Sequence, residues 1–284
     1  MTKAMKWFLI ICSIVIGTGL ALSILGFALG GTKGFDRIEE RTKWIDLGAS
    51  GSYKSLSNTY DSFTSMDIEC DFGKVELIEG NEYKVEITYP KRNEPTARVE
   101  KDTLVVKCKM DRKRWLNLGF LRGWNQSKAS LKIYYPKDTE FDSVKVQNDL
   151  GDLKINSLRA KTLNVGLDLG SITLDQVEAD LLIANLDAGD MKAKNLTTKG
   201  MDAELNLGSM NIQGAIYGRT NATLDLGDCT ITTSVPKNQY TIMTSIDLGS
   251  CQIDGNSSSS LENSNAENRM ELNCDMGSIE VNFE

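Results

Sequence analysis

The chain has 284 residues, with 32 basic against 39 acidic side chains, a formal net charge of −7 and no histidine. That length is ample for one hydrophobic core. The acidic balance argues against nucleic acid as a partner, and the lack of histidine excludes His-based acid–base and triad catalysis.

Residues 1–6 form a short tail carrying Lys3 and Lys6. From Trp7 to Thr32 no residue is charged. A membrane-spanning helix needs ~20 apolar residues, whereas a signal-peptide core takes ~7–15. The run is read as an uncleaved transmembrane anchor over residues 7–31. A cleaved signal ending near Ala28-Leu29-Gly30 is the alternative. Lys33, Arg37, Arg41 and Lys43 follow the run, and a simple charge count would keep the body inside. Long domains, however, translocate largely regardless of flanking charge. The tail is therefore placed in the cytoplasm and the body outside the cell membrane. Residues 32–62 read as a charged stalk. Its Asp46-Leu47-Gly48 lacks the alternating flanks of the repeat described below.

Residues 63–141 predict longer strands and hairpins, over Tyr83–Tyr89, Thr103–Lys109 and Ser130–Tyr135, that open and cap a stack. Within them, Met110 to Gln126 is basic and aromatic: Arg112, Lys113, Arg114, Trp115, Phe120, Arg122 and Trp124. Tryptophan favours interfaces and Lys/Arg favour anionic lipid, so this is a candidate interaction loop. The plainer reading folds its rings back over the end of the stack.

Residues 142–284 carry a regular array. Its glycines are Gly151, Gly170, Gly189, Gly208 and Gly227, each 19 residues from the last, followed by Gly249 and Gly277, with Gly73 as an earlier copy. Leu163, Val165, Leu167 and Leu169 alternate with polar or small residues before Gly170. Ile172 and Leu174 alternate out of phase after it. A period of two marks a strand with one buried face, and glycine tolerates the corner between two such strands. The other units repeat this, with Asn148 a polar exception at an inward position. The prediction is an all-β, parallel β-solenoid-like array of two sheets. A sandwich of antiparallel hairpins is the alternative, but its turns would recur every ~8–12 residues. The polar stretch from Gly255 through Asn268 reads as an extruded loop.

Two residues before the glycines stand Asp71, Asp149, Asp168, Asp187, Asn206, Asp225, Asp247 and Asp275. Stacked, they form a ladder of oxygens. Each could cap its corner by accepting the N–H two residues on, and Asn206 suits that role. A bound cation is the alternative. Cys12 falls in the anchor, and Cys70 and Cys274 share one inward position. Cys229 and Cys251 share another in units adjacent in sequence, so they are expected to stack, either as buried apolar fillers or as a strained disulfide. The cysteines lack metal-ligand spacing, and no phosphate loop or dinucleotide fingerprint is present. No catalytic residue, cofactor or metal is assigned.

Leu131-Lys132-Ile133-Tyr134-Tyr135-Pro136-Lys137, then Phe141 to Val146, then Asp149-Leu150-Gly151-Asp152-Leu153-Lys154-Ile155, resembles the bacterial putative-adhesin, or toast-rack, family of β-strand repeats. Tyr89-Pro90-Lys91 is an earlier echo, and the anchor ending Gly26-Phe27-Ala28-Leu29-Gly30-Gly31 is also similar. The resemblance covers roughly residues 63–284. It implies a membrane-tethered, mostly extracytoplasmic domain, in a family often associated with cell-envelope stress systems and with no established catalytic residues. The leading expectation is a non-enzymatic scaffold or sensor that binds a membrane protein, lipid or wall polymer. The alternatives are an adhesin for surface glycan and a carbohydrate-active enzyme using solenoid Asp residues.

Overall fold

The computed structural model describes residues 53–91, 94–109 and 128–284. Thirteen strands form one continuous ladder system. They are β1 Tyr53–Thr59, β2 Ser65–Cys70, β3 Lys74–Gly80, β4 Lys84–Pro90, β5 Thr96–Glu100, β6 Thr103–Cys108, β7 Ser130–Pro136, β8 Glu140–Leu150, β9 Leu153–Thr233, β10 Tyr240–Ile253, β11 Asn256–Ser257, β12 Ser260–Leu261 and β13 Asn268–Phe283. β9 is a single ribbon of 81 residues wound through successive coils.

The coil is built by phase resets. Leu163, Val165 and Leu167 are buried, then Ile172 and Leu174, then Val177 and Ala179, and the cycle restarts at Leu182, Ala184 and Leu186. A one-residue slip moves a strand's apolar set to the other face, so each reset must coincide with a bend. Each coil therefore carries three inward runs rather than the two expected. The first bend is the glycine corner. The second, unread in the sequence, is a column of left-handed residues: Ser157 (φ 54°), Gln176 (54°) and Asn195 (51°), continued by Gly214. The third lies between Ala179 and Leu182, at the position where Gly218 (φ 68°) turns a later coil.

Stacking explains why the first corner is glycine. Gly170 has φ 146°, and a Cβ there would collide with the carbonyl oxygen of Gly151 one coil away. Dihedral and contact both exclude a side chain. Asn148 is fully buried and uses its inward position here: its Nδ2 donates to the Gly73 carbonyl at 3.1 Å.

The order of coils departs from chain order at both ends. β2 pairs in parallel with both β6 and β8, and β3 with both β7 and β9. The β2–β3 coil thus lies between the later β6–β7 coil and the rest of the stack. Beyond it, β5 pairs antiparallel with β6, β4 with β7, and β1 with β4. β1 falls within residues 32–62, expected to be stalk, so Tyr53–Thr59 belong to the folded body instead. Phe63, Tyr135 and Phe141 pack beneath this end, with ring centroids 6.0 and 5.2 Å apart.

At the other end β13 pairs in parallel with the last coil of β9 on one side and β10 on the other. The final strand has slid between its two predecessors in sequence. Cys229 therefore faces Ile279, and Ile279 faces Cys251. The expected stacking of Cys229 on Cys251 is incorrect. Two coil spacings of ~4.8 Å exceed the reach of a disulfide, and both thiols are free. Complete burial pushes the Cys229 thiol up to about 12. Tyr240 fixes the connection from β9 to β10: its hydroxyl donates to the Ile216 carbonyl and lies 2.9 Å from the Thr233 hydroxyl.

Candidate functional site: the glycine corner

The corner places four columns side by side down the stack. The glycines Gly73, Gly151, Gly170, Gly189, Gly208, Gly227, Gly277 and Gly249 lie in that order, each against its neighbour's carbonyl. Asp71, Asp149, Asp168, Asp187, Asn206, Asp225, Asp275 and Asp247 follow the same order two residues upstream. In the expected cap each carboxylate would accept the glycine N–H. At Gly73 and Gly151 that N–H instead donates to the carbonyls of Leu150 (2.8 Å) and Leu169 (3.0 Å) in the next coil. Asn206 has a different role: its Nδ2 donates to Asp187 Oδ1 at 3.1 Å, interrupting the run of like charges. Desolvation, with the nearby Asp187 carboxylate second, raises the pKa of Asp168. Among the described residues no cluster of ligating side chains could hold a metal ion.

The bonds that tie corners together come from the residue after the glycine. There Asp and Ser alternate from Asp152 to Ser278. Ser171 donates its N–H (3.2 Å) and hydroxyl (2.6 Å) to Asp152 Oδ1. Ser209 does the same to Asp190 at 2.9 and 2.6 Å, and Ser278 to Asp228 at 3.0 and 2.5 Å. The signal was present as Asp-Ser alternation at a fixed offset from the repeat glycine.

The residue before the glycine is the larger surprise. The alternation counted it as the last inward position. Instead Leu207 is 53% exposed, Leu226 42%, Met276 48% and Leu248 65%. Phe72, Leu150, Leu169 and Ala188 at the same position are half-buried. The chain has already begun to bend here, and the inward phase resumes only two residues past the glycine. Leu226 stands beside Met276, and Met276 beside Leu248. Four apolar side chains therefore form an exposed ridge of roughly 14 Å at the strand spacing, flanked by Asp225, Asp275 and Asp247.

The candidate interaction loop, Arg112, Lys113, Arg114, Trp115, Phe120, Arg122 and Trp124, lies outside the described residues. Its roots do not. β6 and β7, which flank it, are in register with β2 and β3, and Ala129, immediately before β7, packs against the Gly73 corner. The anchor, residues 7–31, also lies outside the described residues. Among the described residues no helix is long and apolar enough to cross a membrane.

The Toastrack DUF4097 family model matches residues 63–246. The chain belongs to this family. Similar solved structures share little sequence with it. A "putative cell adhesion protein" from Clostridium sporogenes is 16% identical, with 82% of this chain and 100% of that one covered and a TM-score of 0.41. A "putative adhesin" from Bacteroides fragilis is 14% identical, with 81% and 97% covered and a TM-score of 0.44. A "putative lipid binding protein" from Parabacteroides distasonis is 12% identical, with 82% and 97% covered and a TM-score of 0.39. No curated protein matches the chain.

Proposed function

We propose that this toast-rack protein is a non-enzymatic scaffold or sensor of the bacterial cell envelope. It is held by a single membrane span with its body outside, and it binds a partner membrane protein along the corner ridge. The observation that carries this reading is the exposed ladder Leu207, Leu226, Met276 and Leu248. Contiguous exposed apolar side chains rimmed by polar groups mark interaction sites. The rim here is acidic, which disfavours anionic lipid and selects a basic segment with apolar side chains.

The test places a photo-crosslinking residue at position 226 of the full chain in its own membranes. The captured segment is then synthesised and titrated against the protein in detergent. The reading expects a basic, apolar segment of a membrane protein whose affinity falls at least tenfold in Leu226→Ser/Leu248→Ser, a loss of about 1.4 kcal/mol. Crosslinks to lipid alone, or an affinity unchanged by the two substitutions, would remove the ridge from the function.

A glycan-binding reading has one observation in its favour. The second corner column, Ser157, Gln176 and Asn195, lines an open polar groove with Arg159 and Glu178. Saturable binding on a glycan array that is lost in Gln176→Ala would favour that reading over the ridge.

A further inference from the structure

Cys70 ends β2 and Cys108 ends β6, and the two are direct partners in the parallel ladder. Cys70 occupies the inward position three residues before the Gly73 corner, and the Asp71 N–H closes the pair by donating to the Cys108 carbonyl at 3.0 Å. Partner Cα atoms on neighbouring parallel strands lie ~4.8 Å apart, inside the ~4.4–6.8 Å range that a disulfide spans, while direct stacking strains the bond and makes it readily reducible. Cys70 is 2% exposed, whereas Cys108 is half-buried. Both line a small, mostly apolar pocket of about 20 Å³ at the outermost glycine corner, with Phe72, Val75 and Leu131. No other cysteines among the described residues are direct ladder partners: Cys274 faces Leu224 and Ile246, and Ile279 separates Cys229 from Cys251.

We infer that Cys70 and Cys108 form a dithiol–disulfide pair that fastens the outermost coil to its neighbour at the root of the basic-aromatic segment. Cys108 is the entry thiol because it is the accessible one, and the thiolate is the reacting form. The Cys108 thiolate attacks the disulfide of an oxidised thiol–disulfide donor, forming a mixed disulfide and releasing one donor thiolate. The Cys70 thiolate then attacks the Cys108 sulfur, forming the Cys70–Cys108 bond and releasing the second donor thiolate. Two protons leave the cysteines, and the donor is reduced to its dithiol. The Cys108 thiol beside it, and then burial, raise the pKa of Cys70 well above the usual thiol range. Cys70 is therefore the poorer first nucleophile, which leaves the opening attack to Cys108. Closing the bond joins strands that are 38 positions apart in sequence (Cys70 and Cys108), which restrains the unfolded chain.

The test uses the full-length protein and oxidised glutathione as the donor. Peptides are mapped without reduction after quenching with an alkylating agent. The expected product is a Cys70–Cys108 cross-linked peptide pair, ~2 Da lighter than the separate peptides and reversed by a phosphine, with Cys229 and Cys274 recovered as alkylated thiols. Cys70→Ser should stop the reaction at a glutathione adduct on Cys108, and oxidation of the wild type should raise its melting temperature. The inference is overturned if Cys70 and Cys108 are both recovered as free thiols after prolonged oxidation. It is equally overturned if Cys108 accumulates the glutathione adduct in the wild type without passing the bond to Cys70. The wild-type map decides the matter even if a cysteine variant fails to fold.

Discussion

The two ends of the stack are closed by different means. At the first end, later strands are added outside an earlier coil. β6 and β7 lie beyond β2 and β3, and antiparallel β5, β4 and β1 then cover them. The final edges, β1 and β5, are short, polar and mostly exposed, as edge strands that resist further pairing tend to be. At the second end the last strand is inserted inward. β10 is left outermost, and only its ends are covered, by β12 near Ile242 and β11 near Ile253. The first end grows outward from a finished coil. The second cannot form its outer coil until the last residues arrive, because β10 meets β9 only through β13.

That contrast predicts the largest effect. Deleting residues 268–284 should release β10 as well as β13 and bare Leu224, Cys229 and Ile231, which are all fully buried. Several large side chains lose their cover together, at ~2–5 kcal/mol each. The loss should therefore exceed about 5 kcal/mol in urea unfolding, with hydrogen-exchange protection gone across 219–253. Replacing Tyr53–Thr59 by a glycine-serine stretch of equal length removes a strand that is exposed everywhere except at Leu56, and should cost about 1 kcal/mol. Equal losses from the two changes would mean that the ends do not differ in this way.

The array between the ends is expected to be nearly as sensitive as the second end, and at single residues. Gly189→Ala introduces a Cβ at φ 145° directly against the Gly170 carbonyl. Backbone strain and collision together should cost about 3–4 kcal/mol. Gly255→Ala, in the loop that partly covers β10, has φ 71° but open space around it, and should cost about 1 kcal/mol. Urea midpoints at constant m-value separate the two. Similar costs would show that stacking does not constrain the corner glycine.

The sequence made the solenoid legible because a coil of constant length repeats its apolar phase, and Gly151 to Gly227 keep that length. It showed one corner and concealed the others. A left-handed Gln176 or Ser157 carries no compositional mark, unlike a glycine. The exposed Leu207 and Leu226 were misassigned for a related reason. Alternation is a statement about a straight strand, and these residues sit where the strand has begun to bend. The order of the last two coils was not legible either. Gly249 and Gly277 look equivalent, and only the register of β13 against both neighbours distinguishes inner from outer. The Cys229–Cys251 expectation failed with that ordering, while the Cys70–Cys108 pair was hidden by the opposite inversion at the first end.

The difference between inside and outside can be tested two residues apart. Leu224 and Leu226 lie on one strand, the first fully buried and the second 42% exposed. Leu224→Ala should cost about 3 kcal/mol through transfer and cavity terms. Leu226→Ser should lie within about 0.5 kcal/mol of the parent while weakening partner capture. A large loss of stability from Leu226→Ser would mean that the ridge supports the fold and is not a surface kept for a partner.

The smallest effect concerns the acidic column within the regular coils. The Asp168 carboxyl is raised above its ordinary value of 3.8, first by desolvation and then by Asp187. The folded protein therefore binds this proton more tightly than the unfolded chain does. The contribution of Asp168 is most favourable when it is protonated, below the unfolded value, and is lost as pH rises through the folded value. At pH 7 the charged form is the costly one. Asp168→Asn should accordingly raise the urea midpoint slightly at pH 7, and the difference should shrink as pH falls toward 3.8. Added salt should remove only part of the gain, because screening weakens the repulsion from Asp187 but not the desolvation. A lower midpoint for Asp168→Asn at pH 7 would show that the carboxylate supports its corner after all. The column would then belong to the folding of the repeat, and the acidic rim of the ridge would follow from that requirement.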